Sequence, residues 1–149
     1  MAEAETLQQM KADMKAAMKA REKVKLQTIR TLLSSLKNAS IDKKGDLDED
    51  DIIDVLSTEA KKRREAMDAY SEGGRDELAE QEEAELRVIE EYLPPQMSDE
   101  EAEALVDEAI EKTGASSKAD MGKVMGYVMP KVKGVYDGSK VKDIVLGKL

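Results

Sequence analysis

Apolar side chains recur every three or four residues along most of this chain, which is the spacing that places them on one face of an α-helix. No segment shows the strict alternation of apolar and polar residues that marks a strand. The pattern therefore predicts an all-α protein. Its helices are expected at about residues 3–20, 24–43, 48–70, 75–93, 98–113, 118–129 and 139–146.

Two consecutive prolines mark the predicted boundary between domains. The Pro94–Pro95 pair ends the fourth helix, because the residue before a proline is pushed out of the α region and proline lacks a backbone donor. Ser98 and Glu101 then form the pattern of a capping box, which opens the fifth helix. We therefore predict a four-helix N-terminal domain at residues 1–95, a Pro-Pro hinge, and a three-helix C-terminal bundle at residues 96–149.

One charged residue lies within the apolar stripe of the third helix. Four basic residues follow one another at positions 61–64, and at about 100° per residue they cover the whole helix circumference, so Arg63 falls in the stripe. A turn at Gly73–Gly74 predicts an antiparallel hairpin, and counting outward equally along both helices brings Glu85 opposite Arg63. Because an unpaired charge would be costly there, we predict a structural ion pair between Arg63 and Glu85, with Glu82 as the fallback acceptor.

The residue types exclude several classes of chemistry. The 149 residues include no His and no Cys, which excludes disulfides, the usual zinc sites and the common Ser-His and Cys-His nucleophile arrangements. There is no Gly-rich phosphate loop and no complete EF-hand pattern, so we predict no metal and no cofactor. Glu82 and Glu85 could serve as acid and base, but no nucleophile accompanies them, and we do not expect catalysis by this chain alone.

The net charge of −9 is unevenly distributed along the chain. Residues 11–44 carry ten Lys/Arg and three Asp/Glu, residues 45–112 carry seven basic and twenty-five acidic residues, and residues 113–149 carry seven Lys and three Asp. The overall acidity argues against general coating of nucleic acid, whereas the two basic segments permit local contact with phosphates. Solubility alone would also account for such a surface.

The ends and apolar stretches of the sequence bear on its location. No stretch approaches the roughly 18 apolar residues of a membrane span. The acidic N-terminus, residues 1–5, lacks the basic flank and apolar core of a secretory signal. These features lead us to expect a cytoplasmic protein with no membrane contact.

The segment Gly114–Ser139 contains the most distinctive residues. Gly122 and Gly126 lie four apart in one short helix, so they share a face, although each costs about 1 kcal/mol relative to Ala. Such a face serves either close helix packing or the approach of another backbone. Lysines and free N–H groups at helix starts, which bind phosphate, lie nearby. The candidate close-approach residues are Gly122, Gly126 and Gly134, and the candidate RNA-binding residues are Lys118, Lys123, Lys131, Lys133 and Ser139.

The chain resembles YqeY-like proteins over nearly its whole length. The likeness lies in Ile29–Arg30 of the second helix, in Glu90–Pro94 at the joint, and in the motif Val128–Gly134 followed by Asp137–Ser139. Residues 97–149 are also similar to the C-terminal tail of one of the subunits of the glutamine-dependent aspartyl/glutamyl-tRNA amidotransferase.

This resemblance implies a small helical tail that helps to hold tRNA, while the catalytic domains of the amidotransferase have no counterpart in this chain. YqeY-like proteins are labelled carbon–nitrogen ligases with glutamine as amido-N-donor because they share that tail. We carry over tRNA contact and not catalysis, which predicts a tRNA-binding accessory protein. The alternative is a helical adaptor without an RNA role, which binds a protein partner through the Met-rich first helix or the acidic middle segment.

Overall fold

The computed structural model describes residues 3–149, and every regular element among them is helical. The all-α prediction is confirmed. Met1 and Ala2, which belong to the predicted N-terminal domain and to the acidic N-terminus, lie outside the described residues. The helices are α1 (Glu5–Ala20), α2 (Lys23–Lys43), α3 (Glu49–Glu72), α4 (Asp76–Glu90), α5 (Asp99–Thr113), α6 (Met121–Val132) and α7 (Gly138–Lys148), with a 3₁₀ turn at Lys118–Asp120 before α6.

The chain divides into two compact units, Met1–Leu93 and Pro94–Leu149. The first unit contains α1 to α4, which share one hydrophobic core. Full burial of each Leu, Ile or Met side chain stabilises such a core by about 1.5 to 3 kcal/mol. Its buried members are Met10, Ile29, Leu32, Leu36, Ile52, Leu56, Ala60, Leu86, Val88 and Ile89.

The three-to-four-residue spacing of Leu7, Met10, Met14 and Met18 predicts that they share one buried face of α1, and the structure follows this prediction only in part. Met10 is fully buried, but Met18 is 49% exposed and Ala17 takes the inward position. The chain reverses shortly afterwards, because Arg21 adopts the left-handed conformation at φ 59° and α2 begins at Lys23. A corner this tight favours a small side chain between the two helices, which explains why alanine replaces methionine in the core.

α3 and α4 pack side by side as a hairpin. Asp48 opens α3 with a reciprocal capping box: its carboxylate accepts from the Asp51 N–H, and the Asp51 carboxylate accepts from the Asp48 N–H. Gly74 closes the turn at φ +73°, a conformation that favours glycine because it has no Cβ. The turn thus lies at Gly73–Gly74, as the sequence predicts, and its position determines which residues of α3 and α4 face each other.

The fourth helix ends earlier than predicted. α4 stops at Glu90 and not at Leu93. Residues 91–93 instead donate hydrogen bonds to the carbonyls three positions earlier, which is the tighter 3₁₀ pattern common at helix ends. Pro94 follows directly, and its ring disfavours the α conformation in the residue before it.

The second unit packs α5, α6 and α7 around a core made mostly of valine. The Ser98 hydroxyl accepts from the Glu101 N–H at 3.1 Å at the start of α5, and Gly114 ends that helix at φ +69°. The cap at Ser98 lies where the sequence predicts it, and α5 ends at Thr113, the predicted last residue. The buried members of the core are Val106, Ala109, Val124, Val128, Val132, Val141 and Val145.

The sixth helix is shifted relative to its prediction. The residues from Lys118 to Asp120 form a 3₁₀ turn, and α6 runs from Met121 through Pro130 to Val132 instead of ending at Met129. Pro130 removes one backbone donor, but Val132 is only 1% exposed. Its burial therefore holds the last turn of α6 in place.

Candidate functional site

α6 presents two glycines on its solvent side. Val124 and Val128 are fully buried, and Gly122 and Gly126 each lie two residues before one of them, about 200° around the helix. Both glycines are exposed, and a Cβ built on either would meet no atom within 4 Å. Among residues 3–149, therefore, nothing packs against these glycines, and the backbone of α6 is open along this side.

Three of the predicted phosphate-binding lysines lie on or just before α6, and all three are exposed. Lys118 lies in the 3₁₀ turn. Lys123 Nζ is 3.8 Å from Asp120 Oδ1, and the lysine side chain remains 69% exposed. Lys131 Nζ lies 4.4 Å from the centroid of the Tyr127 ring, a cation–π contact one turn along the helix. These contacts orient the ammonium groups without burying them, so each can still reach a phosphate.

The remaining predicted residues lie around the connection between α6 and α7. Lys133 is exposed and follows the last residue of α6. Gly134 has φ +78°, and its carbonyl accepts from Gln96 Nε2 at 2.9 Å, so this glycine serves the turn. The Ser139 N–H donates to Asp137 Oδ1 at 2.9 Å. That carboxylate occupies a donor at the start of α7 that a phosphate would otherwise use.

In the first unit, the structure brings Arg63 and Glu85 together across the α3–α4 hairpin. Arg63 Nε lies 3.5 Å from Glu85 Oε2 and 3.7 Å from Glu82 Oε2. A third carboxylate, that of Glu59, lies one turn back on α3, with its Oε2 3.5 Å from Arg63 Nη1. The side chains of Arg63 and Glu59 are only 14% and 8% exposed. One largely buried guanidinium therefore contacts three carboxylates.

The excess of carboxylates affects proton binding within this cluster. Burial raises the pKa of Glu85, the neighbouring Glu82 raises it further, and Arg63 only partly opposes them. Glu59 is held from another direction, because the Ser35 hydroxyl donates to its Oε1 at 2.5 Å. The arrangement ties α2, α3 and α4 together, which is the role of a structural cluster that fixes helix register.

Neither a metal centre nor a membrane segment emerges from the described part of the chain. Within residues 3–149, no group of three or more Asp or Glu side chains has a geometry that could hold a metal ion. No helix in the same range is long and apolar enough to cross a membrane.

A family model for the Yqey-like protein matches residues 7–149. The chain belongs to the YqeY-like family. Both the open side of α6 and the Arg63 cluster lie inside the matched range, so both are features of the family domain as this chain builds it.

Several relatives of this YqeY-like chain carry the name Altered inheritance of mitochondria protein 41, mitochondrial. The relative from Eremothecium gossypii is 37% identical over 106 residues, which cover 69% of this chain and 58% of the relative. The relative from Vanderwaltozyma polyspora is 34% identical over 119 residues, which cover 75% of this chain and 64% of the relative. The chain thus spans about six-tenths of the length of these two proteins. The relative from Pyrenophora tritici-repentis is 29% identical over 149 residues, which cover 95% of this chain and 82% of the relative.

The expectation of a cytoplasmic location is wrong, because these YqeY-like relatives are named as mitochondrial proteins. The expectation rested on the lack of a membrane span and of a secretory signal. Neither feature distinguishes the cytosol from the aqueous interior of a mitochondrion, so neither determines the compartment.

Sequence reasoning misses several polar contacts of this YqeY-like chain. Glu59 stands four residues before Arg63, a helical spacing that permits an ion pair, so a signal for it is present in the sequence. Ser35 carries no such signal, because it reaches Glu59 only through the packing of α2 against α3. The Tyr92 hydroxyl likewise donates to Asp13 Oδ2 at 2.5 Å, and 79 positions separate the two residues.

Proposed function

We propose that this YqeY-like chain is a tRNA-binding accessory protein whose second unit contacts the phosphate backbone along α6. The observation that carries the proposal is the open side of this helix, where Gly122 and Gly126 are exposed with no atom within 4 Å of an added Cβ. Each helical glycine costs about 1 kcal/mol, and no packing within the second unit offsets that cost. A phosphate backbone can approach such a helix closely, and the exposed lysines beside it neutralise the charge.

The distribution of charge within the second unit supports the same surface. α5 carries seven Asp/Glu and one Lys, whereas residues 113–149 carry seven Lys and three Asp. Phosphates are attracted to the lysine-bearing segment and repelled by α5. The polarity of the unit therefore favours contact through α6 and the residues that flank it.

The proposed role is accessory and not catalytic. The resemblance to the tail of the tRNA amidotransferase supports tRNA contact, and we assign no catalytic step to this chain. We further propose that the Pro94–Pro95 pair is a hinge between a four-helix module and a three-helix module. Each unit has its own hydrophobic core, as independently folding domains require.

The test is a gel shift of the full chain with unfractionated tRNA at about 50 and about 200 mM salt. The double variant Lys118→Ala/Lys123→Ala removes two exposed ammonium groups beside the glycines. We expect it to weaken binding and to reduce the salt slope by about 1 to 2. Lys112→Ala is the matched control, because this exposed lysine belongs to acidic α5.

Two results would overturn the proposal. One is wild-type protein that does not bind tRNA even at the lower salt concentration. The other is a loss of binding in the Lys112→Ala control as large as that in the double variant. Either result would favour the alternative function, a helical adaptor without an RNA role.

A further inference from the structure

A groove of about 690 Å³ opens between α1 and α2 in the first unit. Leu7 and Met14 line it from α1, and Leu33 and Ile41 line it from α2. Its floor is continuous with the core through Leu36, which is 2% exposed. Ile41, in contrast, is 63% exposed, so a large apolar side chain at the rim has no cover.

The dimensions of the groove fit a helix. Leu7 and Met14 lie seven residues apart, and Leu33 and Ile41 lie eight apart. At 1.5 Å per residue these distances correspond to about 11 to 12 Å, or two helical turns. An amphipathic helix that binds in a groove inserts apolar side chains at positions i, i+3 or i+4, and i+7, which span the same length.

The charges around the groove favour an acidic occupant. Lys15 lines the α1 wall and Lys37 lines the α2 wall. Neither forms an ion pair with any of the residues from 3 to 149. The third lysine of the lining, Lys11, is paired with Glu3, and the remaining acid, Asp46, lies near Lys43. The groove therefore offers an occupant one available ammonium group on each wall.

We propose that this groove binds an acidic amphipathic helix of a partner protein, whose apolar side chains contact Leu7, Met14 and Ile41 and whose carboxylates pair with Lys15 and Lys37. The flexible thioether of Met14 lets the wall adapt to the shape of the inserted side chains. The inference uses only the first unit and is independent of RNA binding by α6.

A second copy of this chain is a poor occupant, although it has acidic helices. α5 is the most acidic amphipathic helix outside the first unit, but its Val106 and Ala109 are fully buried in the core of its own unit. Likewise, α4 buries Ile89 completely. Neither helix can offer its apolar face to the groove without unfolding, which favours a helix of a partner protein over α4 or α5 of a second copy.

The probes are two synthetic peptides of about 15 residues, both with Leu at the i, i+3, i+4 and i+7 positions. One has Glu and the other has Lys at the remaining positions. Fluorescence anisotropy with the full chain should show that the Glu peptide binds about tenfold more tightly than the Lys peptide. Lys15→Glu/Lys37→Glu should reverse this preference, and Ile41→Ser should weaken binding of both peptides.

Two exposed residues of α1 outside the groove provide matched controls. Lys19→Glu introduces half the charge change of the double groove variant, and Met18→Ser removes a large apolar side chain as Ile41→Ser does, and neither touches the lining. Both controls should leave peptide affinity unchanged. Methyl-labelled methionine gives an independent readout by NMR, because the Met14 methyl should shift on addition of the Glu peptide and the Met18 methyl should not.

Four outcomes would overturn the proposal. They are an absence of saturable binding, equal affinity for both peptides, equal losses in the groove variants and the controls, and a shift at Met18 in place of Met14. The remaining possibility is that a second copy of this chain occupies the groove, and sedimentation equilibrium tests it. Self-association that disappears in Ile41→Ser would identify a second copy as the occupant and would equally overturn the proposal.

Discussion

Arg63 on α3 and Glu85 on α4 meet at 3.5 Å across the hairpin, but they are not equal partners. Arg63 also lies 3.5 Å from Glu59 and 3.7 Å from Glu82. The pKa of Glu85 is raised, because burial and the neighbouring Glu82 outweigh the opposing effect of Arg63. The cluster therefore depends more on Arg63, which contacts all three carboxylates, than on any one of those carboxylates.

Removal of Arg63 should cost more than removal of the Glu85 charge. Arg63→Ala removes the cation that all three carboxylates share and leaves Glu59 only its contact with the exposed Lys62, 3.8 Å away. We therefore expect the free energy of unfolding to fall by about 2 to 3 kcal/mol. Glu85→Gln leaves Arg63 with Glu59 and Glu82 and should change it by less than about 1 kcal/mol. Urea unfolding followed by circular dichroism measures both, and the double variant should be more stable than Arg63→Ala alone.

The matched control for this series is Arg87→Ala on α4. Arg87 pairs with Glu83 at 2.9 Å, but its side chain is 76% exposed, and such surface pairs contribute about 0 to 1 kcal/mol. If Arg63→Ala proved no more destabilising than Arg87→Ala, the cluster would contribute no more to stability than a surface ion pair.

Mild acid should stabilise the wild-type protein relative to its Glu85→Gln variant. The pKa of Glu85 lies above its ordinary value of 4.5 in the folded chain, so between the two values the folded state binds more protons than the unfolded state. Protonation of Glu85 therefore contributes to the free energy of unfolding. This contribution is fully present below the pKa of Glu85 in the unfolded chain and is lost as the pH rises through its pKa in the folded chain. As the pH is lowered from 7 to about 4.5, the urea midpoint of the wild-type protein should rise relative to that of Glu85→Gln.

Glu83→Gln controls for the general loss of an acidic charge, because Glu83 lies on the same helix and is 44% exposed. The difference in urea midpoint between Glu83→Gln and wild type should stay nearly constant over the same pH range. A Glu85→Gln difference that is equally flat would contradict the raised pKa.

Alanine at Gly126 should stabilise the protein while weakening tRNA binding. No atom lies within 4 Å of an added Cβ, so Gly126→Ala should raise the free energy of unfolding by about 0.5 to 1 kcal/mol through helix propensity. The added methyl group also covers the open side of α6, so affinity in the gel shift should fall. Gly114→Ala is the contrasting variant, because φ +69° makes it destabilising by about 1 kcal/mol. If Gly126→Ala bound tRNA as tightly as wild type, the glycine side of α6 would not be a tRNA contact.

Limited proteolysis should release the C-terminal module as a folded fragment. A broad-specificity protease is expected to cut near Pro94–Pro95 and to leave a fragment that begins near residue 96. Mass spectrometry identifies its ends, and circular dichroism checks that it remains helical. Cooperative unfolding of the whole chain with no separable fragment would contradict two independent modules.

The sequence by itself determined the helical class and most helix ends, since both depend on neighbours within a few residues. Ser98 and Gly114 delimit α5 through contacts of this short range. Arg63 and Glu85 lie far apart in the sequence, yet their contact also follows from local structure. The turn at Gly73–Gly74 determines the register of the two adjoining helices.

Only the tertiary structure decided which side chains of neighbouring helices meet and which remain exposed. Ser35 donates a hydrogen bond to Glu59, and α1 buries Ala17 while Met18 is exposed. Both facts depend on how α2 packs against its neighbours. The groove between α1 and α2 arises in the same way. Helical periodicity identifies an apolar face, but the exposure of each residue on it depends on the volume and position of side chains from other helices.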